Sequence, residues 1–332
     1  MNNFSYIKSD RANWVHDQIA NEIKKNFEHI KLKNNILPLI DFNKKIHFLD
    51  FFNFAKFRYF SFCNFYTLSY FHGYPDSIEK NLKYKFKKLI SLKNHFNLLH
   101  VSHNKMKNYF LESGINENNL IKIPICLDDK DFLLNETSKV NIRRKYKLPL
   151  TAFIVGSFQK DGNGWGEGNE MKFIKGPDIL CNILNILSNK IPEILLLLTG
   201  PARGYVKRKL NDKNIKFIHL ENLEYKDVIE LYRALDLYLI SSREEGGPRA
   251  FAEAMISKTP IVSTPVGMVG DFIEEMPFIS SGFTPEELAN SCLDLYNMSG
   301  DGKREYLEQN FKLSQKFTYK NNINLWNKLL YR

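Results

Sequence analysis

The sequence predicts an α/β protein made of two doubly wound, Rossmann-like domains facing each other across a cleft. Three observations predict it. From Thr151 onward, apolar runs of strand length alternate with amphipathic runs of helix length. The first half carries a sparser set of the same alternation. A chain of 332 residues also exceeds one ordinary core and suits two.

In the first half, "ANWVHDQIANEIKKNF" has the apolar spacing of an amphipathic helix. "NFYTLSYFHG", "FNLLHVSH" and "LIKIPICLD" read as strands, each ending near polar residues. The helix "NKMKNYFLESG" lies between the last two and stops at Gly114, a good helix terminator. In the second half, Thr151 to Phe158 is a strand, and "PDILCNILNILSNK" is a helix opening on Pro177 and Asp178. "EILLLLTG" is a strand buried on both faces. "IKFIHL", "YKDVIELYRAL" and "LDLYLISS" continue the alternation; a helix from about Pro248 to Ser257 and the strand "TPIVSTPVG" complete it. The expected division is residues 1–148 for the first domain and 149–310 for the second. Residues 311–332 form a terminal helix that packs back toward the first.

Composition narrows the class. With 43% apolar and 25% charged residues, the chain is that of a soluble globular protein. No apolar run approaches the ~20 residues of a membrane span, and the polar start "MNNFSYIKSDRANW" lacks a secretory core. Cys63, Cys126, Cys181 and Cys292 are scattered and read as buried thiols of a reducing compartment, so a cytoplasmic location is expected. Residues 1–150 hold 25 Lys and Arg against 14 Asp and Glu, while the remainder is near neutral. Much of that excess lies in "KNLKYKFKKLISLK" and the aromatic-rich "FFNFAKFRYFSF". Such a half attracts polyanions, either nucleic acid or the anionic face of a membrane; the plain alternative is a solvated lysine-rich surface.

Ligands of open α/β sheets gather at the carboxyl ends of strands, and the polar motifs lie at such ends. "EEGGPRAFAEAM" follows one of them. Glu245 stands on a loop, Gly246 and Gly247 let the backbone approach a ligand closely, and Pro248 starts a helix whose exposed amides suit a phosphate. Carboxylates would repel that phosphate, so Glu245 and Glu253 are better suited to hydroxyls. A nucleoside diphosphate sugar supplies both ligand types.

The stretch "SREEGGPRAFAEAM…KTPIVSTPVG" resembles the E-x7-E region of retaining GT-B glycosyltransferases of glycosyltransferase family four (group 1). The alternative is a pair of surface glutamates around a capped helix. The resemblance implies that Glu245 contacts donor-sugar hydroxyls, that Glu253 holds the ribose, and that Lys175 in "IKGPDIL" neutralises the diphosphate leaving group, where charge grows as the glycosidic bond breaks. It also implies that His72, in "LSYFHGYP", faces the donor sugar across the cleft; a lone histidine is otherwise more often structural.

Departures from the family pattern raise further candidates. Its usual Gly-Arg is here Gly156-Ser157, with "FQKDGNGWGEGNEMKFI" inserted before Lys175. Ser157 remains on the donor side. Lys160 and Lys172 are alternative sources of the missing positive charge, and the sequence does not choose between them. The Gly-rich part, residues 161–169, reads as a lid or a flexible loop. Arg203 in "TGPARGYVKRKL" is a candidate diphosphate or base contact. The family's N-terminal glycine loop is replaced by "KSDRANW", which makes Asp10, Arg11 and Trp14 candidates for the acceptor side. Asp129-Lys-Asp131 spells a DxD motif, but it falls in a segment resembling the inter-domain connection. No metal or cofactor is expected, and no GxGxxG supports a dinucleotide oxidoreductase.

The resulting expectation is a retaining glycosyltransferase moving a sugar from a UDP- or GDP-linked donor to a glycan or lipid-linked acceptor of surface polysaccharide or lipopolysaccharide. Its basic half would touch the membrane peripherally, and no nucleic acid is expected. The alternatives are a nucleotide-sugar epimerase or phosphorylase on the same fold, and a nucleic-acid-binding protein using the basic half.

Overall fold

A computed structural model describes residues 5–8, 15–33, 43–57, 60–133, 137–164 and 166–331. The chain divides into two compact units, Met1–Asp128 with Lys316–Arg332, and Asp129–Gln315.

The first unit runs through β1 (Ser5–Lys8), α1 (Val15–Asn26), β2 (Ile30–Leu32), β3 (Lys45–Phe48), α2 (Phe51–Lys56), β4 (Phe65–Ser69), α3 (Lys80–Ser91), β5 (Leu98–Val101), α4 (Asn104–Glu112) and β6 (Leu120–Lys122). The strands form one parallel sheet in the order β2-β1-β3-β4-β5-β6. β1, β2 and β3 escape sequence reasoning because "SYIK", "IKL" and "KIHF" are too short to show alternation, and each carries a charge. "FFNFAK", to which no element was assigned from sequence, forms α2, N-capped by Asp50, which accepts from the Asn53 amide at 2.8 Å. Phe51 and Phe54 are buried in the core with Phe48, Phe86 and Phe110. Of the described aromatics in that stretch, Phe51 and Phe54 are core and Phe57 and Phe60 pack against it, whereas Phe52 (62%) and Phe62 are exposed. α3 is amphipathic: Phe86 and Leu89 face inward, and Lys80, Lys83, Tyr84 and Lys87 are exposed.

The second unit begins with α5 (Lys130–Leu133) and α6 (Lys139–Lys145). It continues through β7 (Phe153–Ser157), α7 (Pro177–Ser188), β8 (Ile194–Thr199), α8 (Gly204–Asp212), β9 (Phe217–Leu220), α9 (Tyr225–Ala234), β10 (Leu237–Ile240), α10 (Arg249–Ile256), β11 (Ile261–Ser263), α11 (Pro285–Asn297) and α12 (Gly300–Ser314). Its parallel sheet is ordered β11-β10-β7-β8-β9. The chain moves outward from β7 to β9, then returns to place β10 on the other side of β7. That reversal makes β7 and β10 the topological switch point, where loops diverge and a crevice opens. All six residues of β8 are buried, and Leu180, Ile183, Leu184 and Leu187 of α7 pack in the same core. The division falls after Asp128 rather than near 148 because α6 is tied to this unit. Buried Arg143 donates to the carbonyls of Ala234 (3.0 Å), Leu150 (2.9 Å) and Ala152 (3.1 Å) and to Asp236 (2.6 Å). No helix among the described residues is long and apolar enough to cross a membrane.

The last helix, α13 (Ile323–Tyr331), belongs to the first unit. The Leu127 amide donates to the Phe317 carbonyl at 2.8 Å, and the Ser5 hydroxyl donates to the Leu330 carbonyl at 2.6 Å. Buried Trp326 packs edge-on against His100 and His47. Those histidines join a chain of hydrogen bonds across the sheet. His100 Nε2 donates to the Ile123 carbonyl (2.8 Å), so its Nδ1 accepts from the Ser69 hydroxyl (2.8 Å). The Ser69 oxygen accepts from His47 Nε2 (3.0 Å), and His47 Nδ1 accepts from the Thr67 hydroxyl (2.7 Å). Burial keeps both rings neutral, and one proton then serves each link. Burial holds His47 down at about 3, with a further push from His100, and holds His100 down at about 4.

Unfolded, both rings take protons near their ordinary 6.5. Their contribution is therefore intact above that pH and declines as pH falls toward 4. At pH 5 each ring should favour unfolding by about 2 kcal/mol relative to neutral pH. Urea midpoints measured from pH 7.5 to 5 should fall accordingly, and two histidine ring resonances should not move above pH 5.

Candidate active site

Lys175 and Glu245 come from loops that leave the two switch-point strands. After β7 the chain passes through the insert and closes a 3-10 turn, Phe173–Lys175. After β10 it enters the loop that ends at α10. Backbone bonds pin these loops together: the Ile174 carbonyl accepts from the amides of Arg243 (2.8 Å) and Glu244 (3.1 Å). Gly176 permits this approach. It is left-handed (φ +60°), and a Cβ there would lie 1.9 Å from the Ser241 carbonyl oxygen. Arg243 secures the junction from the side, with two hydrogen bonds to Asp178 (2.7 and 2.6 Å) and its guanidinium over the Phe173 ring. Burial would raise the Asp178 carboxyl, but the hydrogen bonds and charge of Arg243 outweigh it and hold it below the usual range.

This seating brings the Lys175 ammonium onto Glu245 Oε1 as an ion pair, with side-chain exposures of 18% and 6%. Ser242 Oγ lies 2.9 Å from the same carboxylate oxygen and 3.2 Å from Gln159 Oε1, while the Gln159 amide donates to the Lys175 carbonyl at 3.1 Å. Gly246 and Gly247 follow at once. They rest against Gly267 (φ +53°), where a Cβ would come within 2.9 Å of the Gly246 carbonyl carbon and the Gly247 nitrogen. Pro248 is the N-cap of α10, and its own side chain offers no capping hydrogen bond. Amides, a cation and a carboxylate thus meet at one helix N-terminus, an arrangement able to take an anion beside hydroxyls.

Glu253, on α10, forms a second cluster. Its Oε1 accepts from the Tyr225 hydroxyl (2.8 Å) and Arg249 Nε (3.0 Å), and its Oε2 from the Tyr232 hydroxyl (2.7 Å). It is buried, as is Arg249 four residues earlier. Burial and the neighbouring Glu253 charge raise the Tyr232 phenol well above its ordinary value, so it remains a donor.

Arg203 and Ser157 form a third, interior cluster. Arg203 is fully buried and donates to the carbonyls of Ser157 (2.8 Å) and Thr199 (3.1 Å), the Gln159 carbonyl and Ser157 Oγ (3.2 Å). It also pairs with buried Asp161 at 3.0 Å. It thus ties the ends of β7 and β8 to the insert. Burial presses the Asp161 carboxyl upward against the pull of Arg203. The insert is docked: the amides of Gly204 and Tyr205 donate to the carbonyls of Glu167 (2.7 Å) and Gly168 (2.9 Å), so the start of α8 is capped by protein. Of the two lysines offered for the missing charge, half-buried Lys160 leaves β7 after Gln159. Half-buried Lys172 immediately precedes the turn bearing Lys175.

His72 lies in the first unit on the loop after β4, half-buried. It is followed by Gly73, whose φ of +99° and close approach to the Leu82 carbonyl exclude a side chain. Asp10, Arg11 and Trp14 lie outside the described residues. Sequence reasoning missed Tyr225, Tyr232, Asp161 and Gln159, for which no local signal exists. It also missed Arg243 and Arg249, which stand inside the motif region and could have been found there.

Residues 169–313 match the family described as glycosyl transferases, group 1. Among curated proteins, none matches the sequence. Solved structures share the fold at low identity. A glycosyltransferase from Rickettsia africae is 15% identical, with all of both chains covered and a TM-score of 0.71. HepE from Anabaena, solved with UDP, is 14% identical over 98% of this chain and 99% of its own, with a TM-score of 0.74. A TarM variant from S. aureus, in complex with fondaparinux, α-GlcNAc-glycerol and UDP, is 16% identical over 95% of this chain at a TM-score of 0.69; the chain spans 58% of that protein. The chain has the GT-B fold, with a glycosyltransferase domain in its second unit.

Replacing Arg203 with Leu leaves Asp161 buried without its cation and strands the carbonyls at two strand ends. Such a break should destabilise the second unit by about 3–5 kcal/mol, and Asp161→Asn by less. Urea denaturation followed by tryptophan-independent circular dichroism measures both; equal effects would contradict the scaffolding role.

Proposed function

We propose that the protein is a retaining glycosyltransferase that moves a sugar from a UDP- or GDP-linked donor to a glycan or lipid-linked acceptor in surface polysaccharide or lipopolysaccharide assembly. The observation that carries this reading is the Lys175–Glu245 ion pair at the Gly246-Gly247 entrance to α10. In the ligand-free protein each charge neutralises the other. When donor arrives, Lys175 turns to the diphosphate and Glu245 is released to accept hydrogen bonds from the sugar. As the bond between the anomeric carbon and the phosphate oxygen breaks, negative charge gathers on the diphosphate, where Lys175 and the Gly246-Gly247 amides meet it. The acceptor hydroxyl attacks the same face of the anomeric carbon, and its proton passes to the departing phosphate oxygen. Glu253 holds the ribose. By resemblance, His72 serves the donor sugar. Lys175 supplies the charge that a divalent cation supplies elsewhere, so chelation leaves turnover unchanged.

The reading includes peripheral contact with an anionic membrane. Its support is α3, which presents Lys80, Lys83 and Lys87 around Tyr84 (66% exposed).

Lys175→Ala should lower kcat by about 10²–10³ in a sugar-transfer assay. A thermal-shift screen of UDP-, GDP-, dTDP- and CMP-sugars should select UDP or GDP, with a stabilisation of about 2.7 kcal/mol at a hundredfold excess over Kd. Indifference to every nucleotide would sink the proposal. Vesicles of anionic lipid should co-sediment the protein in a salt-sensitive manner, neutral vesicles should not, and changing Lys80, Lys83 and Lys87 to Gln should abolish the difference.

A further inference from the structure

A carboxylate has about four acceptor positions, two on each oxygen. On Glu253, Oε1 is full, holding Tyr225 and Arg249, whereas among the described residues Oε2 holds Tyr232 alone. Gripping a vicinal diol requires one open position on each oxygen, so one donor must leave Oε1 before a ribose can be held. The two occupants differ. Arg249 is buried and ion-paired on the same helix, and breaking a buried pair is costly. Tyr225 is neutral and half-buried at the first residue of α9.

We propose that Tyr225 plugs the ribose position: its phenol holds, in the ligand-free protein, the place on Glu253 Oε1 that a hydroxyl of a ribonucleoside diphosphate takes on binding. The displaced phenol keeps a partner, since Arg249 Nη2 already donates to it at 3.0 Å. Tyr232 has the opposite part. It is fully buried, with ring centroids 5.0 Å from Phe158 and 5.1 Å from Tyr238, so it holds Glu253 Oε2 in place with or without ligand. Two tyrosines on one helix, bonded to one carboxylate, therefore act on nucleotide affinity with opposite signs. The inference rests on the reading of Glu253 as the ribose grip.

Isothermal calorimetry with UDP and with 2′,3′-dideoxy-UDP tests it on the full chain. Tyr225→Phe should bind UDP about fivefold tighter than wild type, and Tyr232→Phe about fivefold weaker, each the size of one net hydrogen bond. With the dideoxy nucleotide, which has no diol to seat, the gain from Tyr225→Phe should vanish. Unchanged or weaker UDP binding by Tyr225→Phe overturns the plug. Glu253→Gln separates the two levels. If it loses UDP affinity while Tyr225→Phe does too, the grip stands and the plug alone falls; if it binds UDP as wild type does, the grip fails and the plug with it.

Discussion

The site depends on one backbone contact: the turn bearing Lys175 lies against the end of β10. The Ile174 carbonyl takes two amides of the following loop, and Gly176 presents no side chain to the Ser241 carbonyl. Strand order makes this possible, because β7 and β10 pair in the sheet although 79 residues lie between the end of the one and the start of the other. A β-carbon at position 176 would force the turn away, and with it the lysine. Everything placed on that loop, from Ser242 through Glu245 to the two glycines, inherits its position from this seating.

The two glutamates share a chemistry but not an environment. Glu245 is neutralised by a partly exposed lysine on another loop, so its partner can turn away when a second anion arrives. Glu253 is held by an arginine and two phenols inside the fold, which keeps it oriented. A movable cation suits a group that meets changing charge; a fixed frame suits one that recognises a constant part of the ligand.

A third arrangement lies inside the fold and supports the other two. Arg203 gathers carbonyls at the ends of β7 and β8 and neutralises Asp161, and the glycine-rich insert caps α8 with its own carbonyls. The amides that begin α8 are thereby occupied by the protein itself.

The sequence by itself determined the parallel α/β class and the elements of the second unit, which rest on periodicity and on local residue types; that Lys175 and Glu245 serve one ligand was what the family resemblance implied, and their ion pair was not foreseen. The short strands β1 to β3 were not legible, because strands of three or four residues have no measurable period. Tertiary structure alone decided that Arg203 is buried scaffold, that "FFNFAK" turns its rings into the core, and that two tyrosines from α9 reach Glu253. The physical reason is the same in each case: burial and hydrogen-bond partners depend on what the fold brings alongside, and residues more than twenty positions apart carry no local sign of it.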